Sequence, residues 1–171
     1  MQVARLALTA GLLVATVGAV GAMRAATRLN RLHVRTEAAW AALDAALCRR
    51  ARVVAELNGG IGLRCAADAA LQAGANSIRE EVENELGAAL AVLNRRRLEP
   101  SCVGRLADAE QRVVIARRIY NDAVRDTLAL RSRRMVRWLR LAGTAAAPRY
   151  FEIAEPALAG YVAEFDAGAG A

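Results

Sequence analysis

Apolar and polar residues follow helical spacing along most of this chain. From Leu6 to Met23 the run LALTAGLLVATVGAVGAM carries no charge. As a helix it would rise about 27 Å, close to the hydrocarbon thickness of a bilayer. Beyond Met23 no Pro or Gly appears until Gly59, so the helix can continue unbroken. Along it Leu29, His33, Thr36, Trp40, Leu43, Leu47, Arg50, Val54 and Leu57 recur in steps of four and three. That is a heptad seam, with His33 and Arg50 as its polar interruptions. Asn58-Gly59-Gly60-Ile61-Gly62 then supplies a helix stop. A terminator is favoured over a phosphate-binding loop, because no Gly-Lys-Ser/Thr follows and no strand pattern precedes it.

Further along, a short helix is expected from Leu63 to Ala73, loosened at Gly74-Ala75-Asn76. Ser77, followed by Glu80 and Glu81, reads as a helix start with acids in its first turn. The next apolar stripe is Ile78, Val82, Leu86, Ala89 and Leu93, and its helix is expected to reach Arg97. Arg95, Arg96 and Arg97 would then sit at a helix C-terminus, where cations are favoured. Pro100 breaks the chain, with Ser101 as a candidate cap. The last helix is the most regular. Leu106, Ala109, Val113, Ala116, Tyr120, Ala123, Thr127 and Leu130 alternate large and small residues, as a close antiparallel partner requires. It is expected to run on to the Gly143–Pro148 segment. Beyond the apolar run this predicts helices of about 34, 11, 20 and 38 residues and no sheet. The fold class is therefore all-α: an N-terminal transmembrane helix (residues 1–23), an antiparallel four-helix-bundle-like domain (24–152), and a mobile, acidic, Ala/Gly-rich tail (153–171).

Composition strengthens the helical reading. Ala occurs 41 times and aromatics make up 4% of the residues, which disfavours an all-β fold. All 24 basic residues are Arg, and the net charge is +7. Arg without Lys has the look of a G- and C-rich coding bias, so the excess overstates any case for nucleic acid. Interleaved aromatics for base stacking are scarce.

The chemistry-bearing residues are few. A His-based metal site needs at least two ligands, and His33 is the sole histidine. Cys48, Cys65 and Cys102 are odd in number and lack Cys-x-x-Cys spacing, so reduced thiols are expected. Di-iron bundles use Glu-x-x-His on two helices, a motif missing here. Glu80, Glu81, Glu83 and Glu85 read instead as a solvated helix face. Catalytic residues, cofactors and metals are not expected.

Three blocks carry a family resemblance. Ala39-Trp40-Ala41-Ala42-Leu43-Asp44-Ala45-Ala46-Leu47-Cys48-Arg49-Arg50 resembles the first-helix block of the LemA family. Ala116-Arg117-Arg118-Ile119-Tyr120-Asn121-Asp122-Ala123-Val124-Arg125-Asp126 resembles its last-helix block, and Pro148-Arg149-Tyr150-Phe151-Glu152 the block that closes the domain. The chain departs from the family at Ala55 and at Thr127-Leu128. The resemblance implies a single-pass bacterial membrane protein with a helical-bundle domain and an undefined biochemical role. Within these blocks Trp40 and Tyr120 are expected to be large packing anchors. Asp44 and Arg117 flank facing seams and would suit a cross-helix ion pair. Asn121-Asp122 reads as structural in preference to a recognition site.

Charge sets the expected topology. One Arg precedes the apolar run, while Arg24, Arg28, Arg31 and Arg35 follow it. Positive flanks stay in the cytoplasm, so the N-terminus is expected outside and the main domain inside. A cleaved signal peptide ending near Val20-Gly21-Ala22 is the rival reading. Ala7, Gly11, Ala15 and Ala19 form a small-residue row that would permit self-association. In Arg131–Ala142 the wheel places Met135, Trp138, Leu139 and Ala142 on one side. Arg133, Arg137 and Arg140 lie opposite, with Arg131 and Arg134 flanking. That pattern predicts a helix lying on the membrane surface, against the alternative that Trp138 packs on the bundle. The expected function is a non-enzymatic membrane-anchored scaffold with lipid and an unnamed protein as partners. The alternative is an Arg-rich binder of anionic ligands, nucleic acid or lipid headgroups.

Overall fold

The computed structural model describes residues 2–74, 77–139 and 146–154. They form α1 (Gln2–Ala55), α2 (Ile61–Gln72), α3 (Ser77–Ala91), α4 (Pro100–Arg131) and α5 (Arg134–Trp138), with a 3₁₀ turn at Arg95–Arg97. No strand occurs among the described residues. The protein is all-helical, with a long apolar N-terminal helix, as the periodicity predicts. α1 contains a stretch, within Ala10–Ala55, long and apolar enough to cross a membrane. The side chains of Leu12, Leu13 and Val17 are exposed there.

Two compact units are distinguished. In the first, the described part of α1 up to Ala39 runs antiparallel to α4 from Tyr120 onward, followed by α5. Leu29, Leu130 and Val136 form its apolar centre, with Ala25 and Leu32 packed against them. One turn further, the Thr36 and Thr127 hydroxyls meet at 3.1 Å. Thr127 donates to the Ala123 carbonyl and Thr36 to the Leu32 carbonyl, each at 2.9 Å, so both buried hydroxyls are satisfied by their own helices. Arg35 and Asp126 pair at 3.2 Å on the outside. The Tyr120 hydroxyl donates to the Arg149 carbonyl at 2.9 Å.

The second unit holds residues 40–119 and the described residues from Phe151 on. Its core is Ala51, Val53, Val54, Leu57, Leu63, Ala67, Ala70, Leu86, Leu90, Leu106 and Ala109. The buried faces of α1 and α4 largely follow the seams that the sequence spacing predicts. Gly60 turns the chain between α1 and α2 at φ +90°, a conformation that favours glycine. A Cβ at Gly59 would stand 2.2 Å from Leu63 Cδ2. The chain's Phe151–Ala154 segment is extended and lies on α3. Phe151 and Ile153 are buried, while the Glu152 and Ala154 amides donate to Glu80 Oε1 (2.8 Å) and Asn84 Oδ1 (2.7 Å). Ile153 and Ala154, expected in the tail, thus belong to this segment. Residues 155–171 lie outside the described residues.

Three boundaries differ most from the sequence expectation. α3 stops at Ala91, and Arg95–Arg97 form their own turn, in which Asn94 Oδ1 accepts from the Arg96 amide at 3.1 Å. An Asn side chain that bonds the backbone two residues on draws the chain out of the helix. Pro100 opens α4 instead of breaking the chain, since a first-turn proline loses no helical hydrogen bond. The Glu99 carbonyl, not Ser101, receives the first α4 amides, Cys102 and Val103. α4 ends at Arg131, where the Ser132 hydroxyl donates to the Ala129 carbonyl at 2.9 Å. A serine bonded back into its own helix competes with the backbone ladder, and here it marks the stop. The expected extension over residues 140–145 lies outside the described residues.

Leu47 is fully buried and Val92 is 86% exposed. Leu47→Ala should destabilise the detergent-solubilised chain by about 2–5 kcal/mol. Val92→Ala should stay within about 0.5 kcal/mol. Urea unfolding followed by circular dichroism checks both.

Candidate functional site

The most distinctive chemistry in the second unit is a charge network inside the bundle. Arg50 interrupts the α1 seam and is 2% exposed. Its Nη2 meets Glu83 Oε2 of α3 at 2.5 Å. Arg79, one turn before Glu83, is equally buried and sets its Nε 3.2 Å from Glu83 Oε1. That last approach is an ion pair without hydrogen-bond alignment, so Arg79 Nε and Glu83 Oε1 lack a hydrogen-bond partner, as does Arg50 Nε. Arg79 also donates to the Ala73 carbonyl (2.5 Å), pairs with Asp44 Oδ1 (3.1 Å) and reaches Cys48 Sγ (3.6 Å). Two guanidiniums face two carboxylates, so the network is neutral as a whole.

This arrangement corrects the reading of α3. Glu83 is not part of a solvated acidic face: its side chain has no exposure. The inward face of α3 is Arg79, Glu83, Leu86 and Leu90, and Ile78, expected in the apolar stripe, is 55% exposed. The charges of Arg50 and Arg79 make an inward glutamate tolerable, while Leu86 is in the core and Val82, Ala89 and Leu93 of the expected stripe pack against it, partly buried. A second buried acid, Glu110 of α4, takes both guanidinium nitrogens of Arg95 at 2.8 and 3.0 Å. Arg95 is thus neither a solvated helix end nor a free anion contact. Arg79, Glu83, Arg95 and Glu110 were missed by pattern reading. The available signal was Arg50, a charge at a core position that demands a buried acid elsewhere.

The family-block residues take the following places. Trp40 is only half-buried, and its ring meets Phe151 edge-on at 5.7 Å. Its aromatic partner thus comes from the extended C-terminal segment, not from a facing helix. Tyr120 is buried as expected, and Val124 fully so. Asp44 does form an ion pair, with Arg79 of α3. Arg49 lies 3.6 Å from Asp108 at the surface, and Arg117 and Asn121 are half-buried. Asp122 pairs with Arg125 at 3.0 Å within its own helix. Arg105 and Glu56 also pair.

At the membrane-surface candidates, Arg131 reaches the Ala146 carbonyl at 3.4 Å. Arg133, Arg134 and Arg137 are exposed, and Trp138 is 84% exposed. Val136, which the wheel did not single out, turns inward, the one α5 side chain among those described that does so. Arg140 and the side chain of Met135 lie outside the described residues. The expectation that Trp138 either packs on the bundle or faces outward resolves to outward.

A cleft of about 620 Å³ opens between the α1–α2 and α3–α4 connections, lined among others by Asn58, Asn94, Arg97, Glu99 and Cys102. Among the described residues no group of three His, Cys, Asp or Glu side chains is disposed to hold a metal ion. On α4 the hydrogen bond from Arg112 Nε to Asp108 (2.9 Å), then the charges of Arg112 and Arg49, hold the Asp108 carboxyl below its ordinary range.

Removing one partner of the buried network leaves an uncompensated charge. Glu83→Ala should therefore cost about 3–5 kcal/mol, whereas Arg50→Met, Arg79→Met and Glu83→Leu together should be neutral or stabilising by up to about 4 kcal/mol. Urea midpoints of the two variants test this, and a triple variant as damaged as the single one refutes it. For Asp108, a depressed carboxyl contributes stability above its unfolded pKa, and that contribution fades as pH falls through the folded value. Carboxyl NMR titration should show the Asp108 midpoint rising when Arg112 is replaced by Ala.

No family model, no curated protein and no solved structure matches the chain.

Proposed function

We propose that this chain is a single-pass membrane protein whose helical domain stands on the cytoplasmic side and acts as a non-enzymatic scaffold. The observation that carries the reading is the continuity of α1. No loop separates its exposed apolar stretch from the seam that packs with α4. A cleaved leader would have to be cut from the middle of that helix. The charge step across the stretch, from Arg5 to Arg24, Arg28, Arg31 and Arg35, supports an outside N-terminus.

Likeness to LemA proteins adds to this reading. The third block meets the other two: Phe151 on Trp40, and the Arg149 carbonyl on Tyr120. Blocks that hold one another in place have a packing reason to occur together. The bundle interior favours a scaffold as well, since its buried charges are spent on one another.

Fusing a reporter to the C-terminus tests topology. Activity is expected from a cytoplasm-sensing reporter and not from an export-dependent one. The fusion should stay in the membrane after alkaline extraction. Export-dependent activity, or release by alkali, would refute the reading.

A further inference from the structure

We propose that the α4–α5 turn and the adjoining flank of α1 form a basic collar that binds the anionic lipid headgroups of the leaflet from which α1 emerges. The inference rests on the reading of α1 as a membrane span. Its first support is placement. Val136 of α5 packs with Leu29, with Ala25 and Leu32 against the same cluster. Those α1 residues lie about 3 to 14 Å of helix rise beyond Met23, the last residue of the uncharged run. A headgroup layer is on the order of 5–8 Å deep on each side of a bilayer. α5 is therefore pinned, through a buried side chain, to the stretch of α1 that passes through the headgroups and just beyond.

The second support is what the collar displays. Arg24, Arg28 and Arg31 of α1 and Arg133, Arg134 and Arg137 of the turn are all exposed. None of the six forms an ion pair among the described residues, in contrast to Arg35, which is taken by Asp126. No acid occurs between Arg24 and Arg35 or between Arg131 and Leu139. Beside them Trp138 is 84% and Leu139 40% exposed. An exposed indole among unpaired guanidiniums suits an interface with apolar chains on one side and phosphates on the other. Arginine also matches phosphate oxygens with paired donors, which lysine does not. A nucleic-acid strand would use the arginines and could stack a base on the indole, but it offers Leu139 no apolar phase.

The structure narrows the device relative to the sequence pattern. It is not a long amphipathic helix lying flat. It is a five-residue helix with Val136 as an inward peg and Trp138 as an outward one.

The test uses the full chain reconstituted into vesicles of phosphatidylcholine, with or without phosphatidylglycerol. Lipids brominated near the headgroup end of the acyl chains serve as quenchers. Subtracting the emission of a Trp138→Phe variant isolates Trp138, because Trp40 is present in both. In anionic vesicles the isolated emission should shift to the blue and be quenched. Both effects should be lost with Arg133→Glu plus Arg137→Glu, in zwitterionic vesicles and at high salt, while the protein stays in the vesicles after alkaline washing. Circular dichroism confirms that these surface variants keep their helices. Emission indifferent to bromine and to lipid charge, in protein that resists alkali, overturns the collar and leaves the span standing. Protein that alkali removes overturns both. Quenching that is equal in neutral and anionic vesicles, or unchanged by the two glutamates, overturns recognition of the headgroup charge.

Discussion

The register between α1 and α3 is set by a single carboxylate sealed between two guanidiniums. Glu83 is reached from α1 by Arg50 and from its own helix by Arg79. Turning α3 by one residue, about 100°, would expose the acid and turn Ile78 inward, and Arg50 would then be left without its counterion. An apolar interface slides at modest cost. A buried charge does not, because the penalty for leaving it unpaired is several kcal/mol. The surrounding core needs such a constraint. Ala51, Ala67, Ala70 and Ala109 are all fully buried. Alanine lets helices approach closely but fills little space and contributes little burial energy to one alignment over another. Leu57, Leu63, Leu86, Leu90 and Leu106 share that core, and charge pairing adds a register to the fit that they define.

The same principle recurs in a milder form. Glu110 and Arg95 tie α4 to the turn that precedes it. In the other unit two threonine hydroxyls mark the crossing of α1 and α4, each already bonded to its own helix. A polar pair whose members are satisfied locally costs little to bury, and it still prefers one alignment.

This explains what could and could not be read from the chain. Apolar periodicity on α1 and α4 was legible because the residues facing inward there are mostly apolar. Leu43, Leu47, Leu106 and Ala123 needed only the spacing rule. On α3 the rule found Leu86, with Val82, Ala89 and Leu93 at the edge of the core, but it missed the inward Arg79 and Glu83 and took the solvent-facing Ile78 for a core residue. Periodicity cannot see a pair whose partner lies more than thirty residues away, as Glu83 is from Arg50. Helix ends were lost for a related reason. Asn94 and Ser132 stop helices with their own side chains, and neither is preceded by the Gly or Pro that normally announces a stop. The membrane-facing end was legible in composition, but which of its residues turn inward was decided by the packing of Val136.

The extended Phe151–Ala154 segment bears on the order in which the protein is made. Synthesis delivers α1 first, so its apolar stretch is available to the insertion machinery long before the bundle exists. Trp40 and the polar edge of α3 at Glu80 and Asn84 follow early, but the ring and amides that cover them come from the last part of the described chain. The 40–119 unit therefore cannot close until that segment has been made. Until then one groove stays open to water, and any nascent-chain helper that binds exposed aromatic surface has that interval in which to act.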